Sequence, residues 1–81
     1  MYNRLGIMRA ERAVSRRELG EAVGINPQTV GFIERGDYAP SLELGLKIAT
    51  FFDAPVEILF SLEPFPPLAV QLAKASGKGR S

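Results

Sequence analysis

Apolar residues recur at helical spacing twice between Ser15 and Arg35, with a short interruption between the two runs. Leu19, Ala22 and Val23 form the first stripe, and Val30 and Ile33 continue it. The polar residues around them mark helix ends. Ser15 has the chemistry of an N-cap, and Glu18 three positions on completes a capping box. Gly24 stands where a helix closes through a left-handed residue, a conformation that costs glycine little. Asn26 caps again at once, and Pro27 takes the first helical position, where its missing N–H is harmless. The pattern predicts two short helices meeting in a tight corner.

On either side of this corner the spacing predicts three more helices. The first runs from about Asn3 to Ala13, with Leu5 and Met8 inward and Ile7 beside them. Gly36-Asp37 ends the helix that begins at Pro27, and Tyr38-Ala39-Pro40 is an extended link, because a residue before proline avoids the helical region. Ser41 caps a fourth helix from about Leu42 to Phe52. That helix is apolar nearly all round, with only Glu43, Lys47 and Thr50 as a narrow wet face, so it touches more than its own core. Asp53 caps a last short helix carrying Pro55 early and then Val56, Ile58, Leu59 and Phe60. From Glu63 to Pro67 the prolines exclude regular helix. Leu68–Ala75 suits two further helical turns, and Ser76–Ser81 is small, basic and frayed.

A two-helix corner this tight matches the helix-turn-helix, whose second helix lies in the major groove of DNA. Gly20, Gly24, Val30 and Ile33 stand at the spacing of that motif: a small residue, a glycine four on, then apolar residues six and nine later. Downstream, IERGDYAPSLELGLKIATFF supplies a helix end, a Gly-x-x-x-Pro-Ser-Leu turn and a fourth helix in the same register. From about Asn3 to Leu62 the chain resembles the Xre/Cro class of phage-repressor-type helix-turn-helix proteins. The resemblance implies an all-α, five-helix DNA-binding domain over residues 1–63, with a short Pro-containing tail over 64–81.

Composition narrows the chemistry. Eighty-one residues make one small domain. There is no cysteine and no histidine, which removes disulfides, thiolate metal sites, and the commonest general base and metal ligand. Neither a Gly-rich phosphate loop nor paired acids in a pocket is visible, so an enzyme is set aside, and no cofactor, metal or small-molecule ligand is expected. With no apolar run near the roughly 18 residues of a membrane span and no signal-peptide core, the expected location is cytoplasmic. The net charge is only +1, but it is unevenly spread. Residues 1–36 hold six Arg and four Glu, residues 37–63 one Lys against five acids, and residues 64–81 three basic residues and no acid. A basic front suits a face turned to phosphates.

The resemblance also implies roles for individual residues. Pro27, Gln28, Gly31 and Phe32 match positions that contact bases. Gln28 is the leading candidate, since a carboxamide pairs with adenine N6 and N7 together. Thr29 reaches either a phosphate or a thymine methyl. Pro27 and Phe32 depart from the family's polar residues; Phe32 meets thymine methyls, the core or a dimer partner. Arg16, Arg17 and Asn26 at helix starts, with Arg35 and Tyr38 beyond the second helix of the corner, are phosphate candidates. Asn3 and Arg4 are weaker ones. Arg9 and Glu34 fall where a structural ion pair joins the first and third helices. Leu44, Phe51, Phe60, Leu62 and Phe65 offer a dimer surface. These assignments describe a sequence-specific regulator, a repressor by family habit, that binds a palindromic operator on double-stranded DNA as a homodimer. The alternative is an antitoxin-like interaction module whose tail holds a partner protein.

Overall fold

In the computed structural model, which describes residues 1–65, the elements run β1 (Tyr2–Asn3), α1 (Leu5–Arg12), α2 (Arg16–Val23), α3 (Pro27–Glu34), α4 (Leu42–Phe52), α5 (Val56–Leu59) and β2 (Phe60–Ser61). The expected helix over Leu68–Ala75 and the basic end lie outside the described residues. Among the described residues, five helices wrap one core: Leu5, Leu19, Val23, Val30, Ile33, Ile48, Ala49, Phe52 and Leu59 are all buried. Each apolar stripe along the chain contributes to it. Ile7 does not, being two-thirds exposed, because it lies about 100° round α1 from Met8.

Capping sets the corner between α2 and α3. The Glu18 N–H donates to Ser15 Oγ (3.0 Å), while the Ser15 N–H donates to Glu18 Oε1 (3.1 Å). Gly24 closes α2 in the left-handed region at φ 82°, and its N–H donates to the Gly20 carbonyl (2.8 Å). Asn26 Oδ1 then accepts from the Gln28 N–H (2.8 Å), with Pro27 at the start of α3. Gly20 permits the close approach: a Cβ there would lie 2.5 Å from the carbonyl oxygen of Ile25. No side chain larger than hydrogen fits without moving backbone.

Two expectations need correction. Asn3 does not open α1; it pairs with Phe60 in a two-residue antiparallel ladder, with Tyr2 opposite Ser61, that ties the chain's start to the end of the bundle. Its side chain is used locally, since Nδ2 donates to the Ile33 carbonyl (2.8 Å) and Oδ1 accepts from the Leu5 N–H (3.1 Å). Asp53 does not cap α5 but ends α4, in the left-handed region at φ 53°, and Pro55 holds the N-cap position of α5 without a side-chain hydrogen bond. The core takes only part of the apolar surface of α4, and Leu42, Leu46 and Phe51 remain exposed beside the wet face. A short helix lying on a small core can bury only the stripe that faces it.

Candidate nucleic-acid interface

α3 packs on the core through Val30 and Ile33, which leaves the opposite side outward. Pro27, Gln28, Phe32 and Arg35 are exposed along that side, and Thr29 is half-buried at its edge. The spacing makes one helical face of Gln28, Gly31, Phe32 and Arg35. The α2 N-terminus stands beside it and brings Arg16 to the same place: Arg16, Gln28, Gly31, Phe32 and Arg35 together line one shallow recess. The four base-contact candidates are therefore on a single outward helix, and all but Thr29 are freely exposed.

The phosphate candidates divide. Arg17 projects into solvent with only an exposed i,i+4 partner, Glu21 (3.2 Å). Asn26 and Tyr38 are exposed at the start of α3 and in the loop after it. Arg16 is more constrained. Its Nη2 and Nε lie 3.0 and 3.1 Å from Glu34 Oε1, so the guanidinium leans across α3. Arg35 is held similarly: Nε donates to Asp37 Oδ2 (3.3 Å), and its guanidinium carbon is 5.0 Å from the centre of the Phe32 ring. Of the weaker pair, Asn3 is tied up as described, and the Arg4 guanidinium sits 4.0 Å from the centre of the Phe65 ring.

Behind this face, Glu34 is shared by two arginines. Arg9 donates through Nε to Oε2 and through Nη2 to Oε1 (3.3 Å), while Nη1 donates to the Val14 carbonyl (2.9 Å). The pair expected from the sequence is present and is shielded, with 19% of the Arg9 side chain and 9% of Glu34 exposed. Arg16 adds a third member that no local pattern announces, because α2 and α3 must first be brought together. Burial pushes the Glu34 carboxyl up, but the hydrogen bonds and charges of Arg9 and Arg16 more than offset this and hold it below its usual range. The two arginines at a helix start, unfavourable toward its dipole, have acids to meet: Glu34 for Arg16 and Glu21 for Arg17.

The expected dimer residues do not form one exposed face. Leu44 and Phe60 pack against the core margin, and Phe65 is half-buried beside Arg4. Phe51 is 39% exposed and Leu62 84%. Outward apolar surface comes instead from Leu42 and Leu46, with Ile58 on α5. Leu46 and Phe51 line a recess with Ala22, Val23 and Thr50 where α4 meets α2. The counting of apolar residues along α4 could not tell which of them the core would take. Among the described residues, no helix is long and apolar enough to cross a membrane.

Comparison with known proteins agrees with the geometry. The helix-turn-helix family profile matches residues 5–59. An uncharacterized HTH-type transcriptional regulator of Bacillus subtilis, YgzD, is 48% identical over 63 residues, which cover 78% of this chain and 96% of the relative. The regulator MJ0272 of Methanocaldococcus jannaschii, also uncharacterized, is 40% identical over the same shares. Among solved structures, the restriction-modification controller protein C.AhdI of Aeromonas hydrophila superposes with a TM-score of 0.65 at 35% identity, covering 70% of this chain and 86% of that one. A transcriptional regulator from Listeria innocua shares the fold at 18% identity, with a TM-score of 0.64, across 100% of this chain and 81% of its own. The chain thus belongs to the Xre/Cro-like helix-turn-helix family of DNA-binding transcriptional regulators.

Proposed function

We propose that this regulator binds a palindromic operator as a homodimer, reads bases through α3 in the major groove, and represses transcription in the cytoplasm. The observation that supports this best is the outward face of α3. It is anchored from behind by Val30 and Ile33, capped by Asn26, and presents Gln28 unencumbered. Gln28 is then the adenine reader, and Thr29, Phe32 and Pro27 pack on the neighbouring base edges. Arg17, Asn26, Tyr38 and the α2 N-terminus with Arg16 grip the backbone on either side.

A single module of this size covers too little DNA for tight binding alone, and two copies about 34 Å apart on one face of the duplex remedy that. The exposed Leu42, Leu46, Phe51, Ile58 and Leu62 are the surface we assign to the second copy. The kinship with a restriction-modification controller protein supports a role in transcriptional control.

Capture of sheared genomic DNA on the purified protein, followed by sequencing, tests this reading. A recurrent palindromic site upstream of a gene, bound by a dimer, is expected. Recovery of asymmetric half-sites bound by monomer would refute the dimer, and enrichment of no sequence would refute base reading.

A further inference from the structure

The middle of the outward face of α3 carries no side chain, because Gly31 stands there, yet Gly31 is buried. Two guanidinium groups cover it. A Cβ at Gly31 would lie 3.4 Å from Arg35 Nη1 and 3.6 Å from both Cζ and Nη1 of Arg16. Two cations thus converge over one glycine between Gln28 and Phe32, and each is held on its flank by an acid, Glu34 for Arg16 and Asp37 for Arg35.

The resemblance to the family places Arg35 at a phosphate, but the geometry favours another partner. Helical side chains lean toward the N-terminus, so Arg35 reaches back one turn, toward the end of α3 that enters the groove. Asp37 occupies its Nε and the Phe32 ring backs the guanidinium, which leaves Nη1 and Nη2 as an end-on fork. A phosphate approaching that fork also meets the charge of Asp37. A neutral base edge with two acceptors side by side meets the same carboxylate without the repulsion of a second full charge. In the major groove that edge is guanine, with O6 and N7.

We propose that Arg35 is a base-reading residue, whose guanidinium fork, laid over Gly31, takes O6 and N7 of one guanine in the operator. The proposal rests on α3 lying in the major groove. Gly31 is the permissive residue, since a larger side chain would displace both guanidinium groups, and Asp37 positions the fork.

The test begins with selection of bound duplexes from a random-sequence pool by the intact protein. Each guanine of the selected site is then replaced singly by 7-deazaguanine, which lacks the N7 acceptor. At one guanine the expected loss is about tenfold. Selection is repeated with Arg35→Ala, which removes the fork. Its preference for guanine at that position should fall by about 5- to 150-fold. Gly31→Leu, which leaves Arg35 in the chain, should lose the same preference. Thermal unfolding of both variants checks that they fold.

Guanine preference retained in Arg35→Ala, or tolerance of 7-deazaguanine at every position, would overturn the proposal and leave the regulator reading intact. So would an Arg35→Ala variant that binds all sequences more weakly with a shallower salt slope, the signature of a phosphate contact. Failure of the wild-type protein to select any sequence would overturn the placement of α3 and the proposal together.

Discussion

Glu34 is the residue on which the most interactions turn. One carboxylate joins α1, through Arg9, to the start of α2, through Arg16, from a position on α3. Arg9 is mostly shielded, so Glu34→Ala would strand a cation and should cost about 3 kcal/mol, read by urea unfolding. The folded carboxyl titrates below the ordinary value of 4.5. Its stabilising effect is therefore complete above that value and is lost as pH falls through the lower folded value. Unfolding followed between pH 7 and pH 3 should show a loss of stability below about pH 4.5 that Glu34→Gln abolishes. An undiminished loss in the variant would place the acid sensitivity elsewhere. Ala13 offers the opposite kind of prediction. It ends α1 in the left-handed region at φ 54°, which costs an L-residue about 1 kcal/mol. Ala13→Gly relieves this at some cost in chain entropy, and a net gain of about 0.5 kcal/mol should raise the thermal midpoint. A lowered midpoint would contradict it.

At the scale of elements, the α2–α3 corner depends on Gly20 more than on any apolar contact. The carbonyl of Ile25 stands where a side chain would begin, and that oxygen belongs to the backbone of the turn. Gly20→Val should cost about 2–3 kcal/mol and weaken DNA binding by misplacing α3, which thermal unfolding and duplex titration read together. Ser15→Ala should cost about 1 kcal/mol and leave the corner in place. These elements were legible in advance because their signals are local: Ser15 with Glu18, Asn26 with Pro27, and Gly24 each act within one turn of chain. Asp53 was misread for the same reason. Its chemistry suits a cap, but the residue where α4 runs out of core must turn left-handed, and aspartate tolerates that too. The ladder of Tyr2–Asn3 with Phe60–Ser61 and the bridge from Arg16 to Glu34 join distant parts of the chain, and no local pattern announces either.

For the whole molecule, the face proposed to read DNA and the apolar surface of α4 and α5 are separate. Leu42 is largely left in solvent and Leu46 about half so, which is consistent with a partner covering them. Leu46→Glu should lower the self-association constant in sedimentation equilibrium and weaken operator binding, while thermal unfolding at low protein concentration changes little. Equal self-association by the variant would move the dimer surface elsewhere. The exposure of Gln28 and Phe32 on α3 agrees with their positions in the motif, while Thr29 sits half-buried at the edge. The convergence of Arg16 and Arg35 over Gly31 was not legible in the sequence, because it depends on where two long side chains go once α2 and α3 are packed. Whether α3 reads sequence while its surroundings hold the backbone is decided by titrating Gln28→Ala and Arg17→Ala against the selected site and a scrambled duplex over a range of salt. Gln28→Ala should lose about 1–3 kcal/mol on the selected site alone, and Arg17→Ala should weaken both duplexes alike with a shallower salt slope. Equal losses on both duplexes for Gln28→Ala would contradict the account.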